Sequence, residues 1–412
     1  MSKTHHIFST SVIVLLFFSL FISKAGIYIS LTFLLLLQLC TLYKDRHQIT
    51  LVKEHLFLPS MITIGLFILG ITLNMLFHSN YMDMSGYFRK CALLLLFPLL
   101  VIQLARGNNV KIASISATAG LTLALCFALY HLNSLGIFHW NGQRITSFWD
   151  IGRWGEILGY CVALLVPYIF EKKHKPSEKI SLTFLLILCV LCLLLSGGRA
   201  PLVAIIISIG IYSIIRQPKF ATACILILAF AVFFGRDTIV INAITDRASS
   251  IFNTSNNYSN IARLVMWEYC IKFMIYNAQH DLVSFLFGSG ISELHINYGN
   301  YIKNTSDMAS LLKQTNGYFS LTDMHNTYLD LFAKLGFIYF ITFISTLFIL
   351  FKSFYDYRLA HPSSAYAGMC LILTFSVTGM FYTSGLEFQL TIFLALIALC
   401  YAQIIKDSAS NE

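Results

Sequence analysis

Apolar runs of about 20 residues recur along nearly the whole chain, and each is long enough to cross a hydrocarbon core of about 30 Å. They fall at 7–23, 26–43, 56–77, 91–105, 112–131, 157–170, 180–196, 202–215, 221–235, 326–351, 365–385 and 388–405. Composition agrees, with 57% of the 412 residues hydrophobic and 11% charged, against a charged share of about 25% in soluble domains. The expected fold is therefore all-α, a polytopic membrane protein of about twelve transmembrane helices. Several runs are short, which leaves room for helices that extend into flanking polar residues or are broken. The run at 7–23 leads into a second apolar span without a small-residue cleavage site, so it reads as the first helix and not as a removable signal.

Three parts follow from the pattern: helices 1–9 in residues 1–235, a large hydrophilic loop in 236–324, and helices 10–12 with a short tail in 325–412. Orientation follows from the placement of Lys and Arg in short loops. Lys44, Arg46, Lys53, Arg106, Lys111, Lys172, Lys173, Lys175, Lys179, Arg216, Lys219, Lys352 and Arg358 fall on one side, against Lys24, Arg89, Lys90, Arg144, Arg153 and Arg199 on the other. The richer side is the cytoplasm, which puts both termini inside and the large loop outside. That loop carries an amphipathic helical pattern from about Tyr258 to Tyr276 and a Gly-bearing turn at Phe287-Gly288-Ser289-Gly290. At this length a partly helical cap is expected in place of a structureless connector.

Several function classes drop out. The net charge of +9 is scattered over many short loops, not gathered in a stripe with interleaved aromatics, which argues against nucleic acid. Cys189 and Cys192 have a two-residue gap but sit mid-span, where packing is their reading. Inverted pairs of broken helices are missing and ionisable groups within the runs are scarce, which counts against ion-coupled transport. His280, His295 and His325 share the loop, yet their spacing lacks the close pairs of a zinc site. No P-loop, Gly-x-Ser-x-Gly elbow or dinucleotide fingerprint is present.

The candidate chemistry lies on the outside face. Arg199 sits in the turn Leu195-Ser196-Gly197-Gly198-Arg199, Arg263 opens Arg263-Leu264-Val265-Met266-Trp267, and Arg247 lies in Thr245-Asp246-Arg247-Ala248. Planar guanidinium forks suit a phosphate-bearing ligand, and a pyrophosphate needs more than one. The plainer account is that these arginines snorkel or pair with Asp237, Asp246 or Glu268. His325 falls where the loop turns into the tenth helix, in Asp323-Met324-His325-Asn326, and is a candidate general base or a helix-start histidine. Glu387, in the short turn Thr383-Ser384-Gly385-Leu386-Glu387, either pairs with an arginine, positions the histidine or is a solvated turn residue. Asp330 and Lys334 have the spacing of a helix-surface pair.

The arrangement resembles the O-antigen ligase and polymerase superfamily of bacterial inner membranes. The ligase pattern is His followed by Asn, Ser or Gln, nine residues, Gly, two residues, then Gly, Thr or Tyr. Here His325-Asn326, Gly336 and Tyr339 match it in full. Ser196-Gly197-Gly198-Arg199 is similar to the family's middle-helix arginine turn, and Arg263-Leu264-Val265-Met266-Trp267 to its loop arginine motif. Phe285-Leu286-Phe287-Gly288-Ser289-Gly290 is similar to the turn that often follows. Arg144, in Gln143-Arg144-Ile145-Thr146-Ser147-Phe148, resembles a further family arginine less closely.

What the resemblance implies is transfer of a polysaccharide from undecaprenyl pyrophosphate to a sugar hydroxyl of lipid A-core, on the periplasmic face of the inner membrane and without metal or nucleotide. Arg199 and Arg263, with Arg247, would stabilise the pyrophosphate leaving group. His325 would deprotonate or orient the acceptor hydroxyl, and Arg144, Asn326 and Glu387 would support the site. A single displacement would invert the anomeric centre. Two other readings stay open: a polymerase of carrier-linked repeats, and a polysaccharide exporter or flippase, which would need charges at mid-membrane.

Overall fold

The structure, a computed structural model, describes residues 3–42, 56–77, 81–134, 143–172, 174–223, 226 and 257–409. Among these the chain is helical throughout its regular structure, without strands. In chain order the helices are α1 (Lys3–Ser19), α2 (Lys24–Leu42), α3 (Phe57–Leu76), α4 (Tyr81–Ala105), α5 (Asn109–Ser134), α6 (Ile151–Glu171), α7 (Pro176–Ser196) and α8 (Arg199–Arg216). They continue as α9 (Tyr258–His280), α10 (Leu282–Phe287), α11 (Leu294–Thr305), α12 (Met308–Gln314), α13 (Thr327–Tyr357), α14 (Pro362–Gly379) and α15 (Phe388–Ala409).

Among the described residues, eight helices are long and apolar enough to cross a membrane: α3 to α8, α13 and α15. The shorter apolar helices α1 and α2, together with α14, fill three further predicted runs. The run at 221–235 lies largely outside the described residues. The chain is thus an all-α, multi-pass membrane protein. Several helices begin well before their apolar runs, α4 at Tyr81 and α6 at Ile151, because polar turns outside the hydrocarbon still close their backbone hydrogen bonds within the helix.

Helix α15 is apolar on all sides and buried nearly all round, as a helix at the centre of a bundle must be. It packs chiefly on α4, while α14 lies against α6, α8 and α13. Helix α7, with most of its surface exposed, is a lipid-facing helix at the rim. Outside the bundle, α9, α11 and α12 build a second, smaller core from Met266, Phe273, Tyr298, Ile302 and Leu311, into which Met324 and Ala333 reach from the start of α13.

Helix α13 is broken at Gly336, which has φ 81° and ψ 175°. The break leaves carbonyls without helical partners, and the 287–290 turn supplies donors: Ser289 N–H to Ala333 O at 3.0 Å and Gly290 N–H to Lys334 O at 3.0 Å. Gly288 and Gly336 face each other so closely that a Cβ on either would collide with the other segment's backbone. Both also have positive φ, a conformation only glycine adopts cheaply. Tyr339, three residues on, bonds the Tyr87 hydroxyl at 3.0 Å within the bundle. The two glycine motifs are therefore one device, which clamps α10 onto a broken α13. Asp330 and Lys334 do pair, at 2.8 Å, but the pair is buried and not on a helix surface, because the cap helices cover this first segment of α13.

Candidate active site

His325 stands in the turn that enters α13, and several independent contacts shape that turn. Asn326 caps the helix, its side-chain oxygen accepting from the N–H groups of Tyr328 at 3.0 Å and Leu329 at 3.1 Å, which is the role of an N-cap amide. His325 has φ 45°, a left-handed conformation that costs a non-glycine residue roughly 1–2 kcal/mol. An Asx turn holds it there: the His325 N–H donates to Asp323 Oδ1 at 2.7 Å. Thr383 Oγ1 also donates to that oxygen. From α9, the Trp267 indole donates to Met324 O at 3.0 Å.

That last bond explains the spacing of the loop arginine motif. Residues four apart share a helix face, so Arg263 and Trp267 both look toward the turn, one anchoring it and the other lying beside it. The Arg263 guanidinium is half-buried over the Tyr382 ring, 5.9 Å from its centroid. Burial draws it below its ordinary value, Tyr382 opposes that, Arg144 adds to it and Asp323 opposes it. Arginine nonetheless keeps its charge. Glu268, weighed as a partner for Arg263, instead holds Lys272 at 2.6 Å.

Arg199 begins α8 directly after a left-handed cap at Gly197, φ 64°. The Ser196 hydroxyl accepts from Gly198 N–H at 3.3 Å and donates to Leu193 O at 2.7 Å, which tightens the turn. Arg199 reaches α9 as well, donating to Asn260 Oδ1 at 3.4 Å. Arg144 is brought alongside because Ile145 N–H donates to Leu195 O at 3.0 Å, at the foot of the same turn. Arg247 lies outside the described residues.

Tyr382, in the α14–α15 turn, is the common neighbour. Burial raises its hydroxyl above the usual tyrosine value and Glu156 adds to that, while the charges of Arg263, Arg144 and Arg199 pull it down. Three arginines from three separate stretches of chain thus act on one hydroxyl, Arg263 lying over its ring, and the next residue, Thr383, bonds Asp323 in the His325 turn.

Glu387 belongs to a neighbouring group. It pairs with Lys90 at 2.5 Å and Arg153 at 3.0 Å, so it is an ion-paired turn residue, and the carboxylate beside His325 is that of Asp323. Glu156, buried in α6, takes hydrogen bonds from Ser384 at 2.5 Å, Gln389 at 3.1 Å and Tyr160 at 3.3 Å. It thereby fixes the turn that carries Tyr382 and Thr383. His280 and His295 each bond a nearby backbone carbonyl, Tyr276 O at 3.0 Å and Ser292 O at 2.6 Å.

Asp323, Glu156 and Tyr382 have no counterpart among the residues singled out from sequence. Their partners lie far along the chain, and only the position of Asp323 two residues before His325 hints at an Asx turn. Comparison with curated proteins gives no match. Residues 184–344 match the family described as O-antigen ligase, a stretch that holds Arg199, Arg263, His325 and both clamped glycines. The match spans less than half of the chain, and over that stretch the chain is similar to the O-antigen ligase family.

Proposed function

We propose that this protein is an O-antigen ligase of the bacterial inner membrane. It transfers a polysaccharide from undecaprenyl pyrophosphate to a sugar hydroxyl of lipid A-core at the periplasmic face, with both termini in the cytoplasm. The observation that carries the reading is the convergence of Arg144, Arg199 and Arg263 on Tyr382, beside a histidine held in a strained turn. Breaking a sugar–pyrophosphate bond develops negative charge on the leaving oxygen, and guanidinium groups preset around that position stabilise it. His325 takes the proton of the acceptor hydroxyl as its oxygen attacks the anomeric carbon, and the glycosyl–oxygen electron pair leaves with the pyrophosphate. A single displacement inverts the anomeric centre. Both substrates are lipid-anchored, which suits a site where cap and bundle meet.

The test is lipopolysaccharide banding in a ligase-deficient strain carrying the protein or its His325→Ala variant at equal expression, with carrier-linked glycan assayed alongside. Long chains on lipid A-core with wild type, and finished polymer left on its carrier with the variant, are the expected results. Single unpolymerised repeats accumulating without the protein would make it a polymerase. Loss of all periplasmic glycan would make it an exporter.

A further inference from the structure

We infer that Asp323 is the positioning residue for His325, its carboxylate holding the imidazole so that Nδ1 carries the proton and Nε2 is left open to the acceptor hydroxyl. The inference rests on the reading of His325 as the base. A neutral imidazole has two tautomers, and the one with a bare Nε2 is selected by an acceptor at Nδ1. Asp323 is built to be that acceptor. Its Oδ1 is fixed twice, by the His325 N–H at 2.7 Å and by the Thr383 hydroxyl, which leaves Oδ2 turned toward the ring, 3.7 Å from Nδ1. That separation is an ion-pair distance, longer than a hydrogen bond, and base–orienter contacts are commonly loose before substrate closes on them.

The other carboxylates near this turn are committed elsewhere: Asp330 to Lys334, Glu387 to Lys90 and Arg153, and Glu156 to Ser384, Gln389 and Tyr160. Glu156 still contributes indirectly. Its bond to Ser384 holds the turn whose next residue back, Thr383, holds Asp323, and Ser384 N–H and Tyr382 O both bond the Thr327 hydroxyl, at 2.8 and 2.7 Å. The histidine is thus tied through Asp323 to a turn anchored inside the bundle. In the step itself the hydroxyl proton passes to Nε2 while the Nδ1 proton stays shared with Asp323, so the imidazolium that forms is stabilised and no second proton leaves the ring.

The experiment uses the full-length protein in proteoliposomes with carrier-linked glycan and lipid A-core as substrates. Asp323→Asn keeps an oxygen for the two Oδ1 bonds but can present an amide donor to Nδ1, selecting the wrong tautomer. A fall in kcat of about 100-fold or more with KM nearly unchanged is expected. The double variant Asp323→Asn/His325→Ala should be no slower than His325→Ala alone, since the two residues act as one unit. Thr383→Val should give a smaller loss of the same kind and Thr383→Ser none, a pair that carries the test if Asp323→Asn folds poorly. Near-wild-type kcat in Asp323→Asn, losses that multiply in the double variant, or a Thr383→Ser as slow as Thr383→Val would overturn the inference. If Asp323→Asn is active while His325→Ala is dead, the positioning role alone fails. If His325→Ala turns over like wild type, the base assignment fails with it.

Discussion

Arg263 and Glu387 illustrate how differently two charged residues at one membrane face can behave. Arg263 lies half-buried over Tyr382 with other cations nearby, an arrangement that favours an incoming anion. Arg263→Ala is expected to lower kcat by about 100- to 1,000-fold, the usual cost of removing a preset transition-state donor. Arg263→Lys should recover little of it, because an ammonium lacks the planar fork; turnover with purified substrates checks both. Glu387 is already paired with Lys90 and Arg153. Glu387→Gln should cost no more than about 1 kcal/mol, as partly exposed ion pairs do, and leave turnover within about three-fold of wild type on that scale, measured by thermal unfolding and the same assay. The candidate guanidinium and imidazole groups could be singled out in sequence by residue type alone. Asp323 and Tyr382 could not, since what defines them is contact with Thr383 and with Arg144, Arg199 and Arg263, which no local spacing encodes.

At the level of elements, the loop glycine turn and the glycine eleven residues after His325 are a single joint. Because Gly288 and Gly336 have positive φ and abut backbone, Gly288→Ala and Gly336→Ala should each destabilise the protein by more than the roughly 1–2 kcal/mol of a left-handed alanine. A lowered apparent Tm in detergent, with loss of transfer, is the expected result, and wild-type behaviour of either variant would contradict the joint. Hydropathy located the apolar runs but not where helices start. The ten residues that open α4, and the turn of α6 that holds Glu156, lie outside any apolar run, and within them Asp83, Tyr87 and Glu156 are buried against the bundle. The expected amphipathic helix near Tyr258–Tyr276 forms as Tyr258–His280, with Ala262, Met266, Cys270 and Phe273 buried in the cap core at helical spacing. The Asp330–Lys334 spacing read correctly as a pair, yet its burial depends on α9 and α10 lying over it.

For the molecule as a whole, a bundle around α15 supports a small helical cap, and the arginines, Tyr382 and His325 lie between them. The proposed orientation places that junction outside the cytoplasm. Single cysteines at Lys313 and at Lys175, in a background without reactive thiols, should differ: an impermeant thiol reagent added to spheroplasts is expected to label the first and spare the second. Reversed labelling would invert the topology. The most direct measurement of the central claim is transfer by the purified protein in proteoliposomes that contain only undecaprenyl-pyrophosphate-linked polysaccharide and lipid A-core, with chelator present. The account predicts glycan appearing on lipid A-core with release of an equal amount of undecaprenyl pyrophosphate, and loss of both in Arg263→Ala. Carrier-linked glycan that instead grows longer, or remains untouched while wild-type protein is folded, would contradict it.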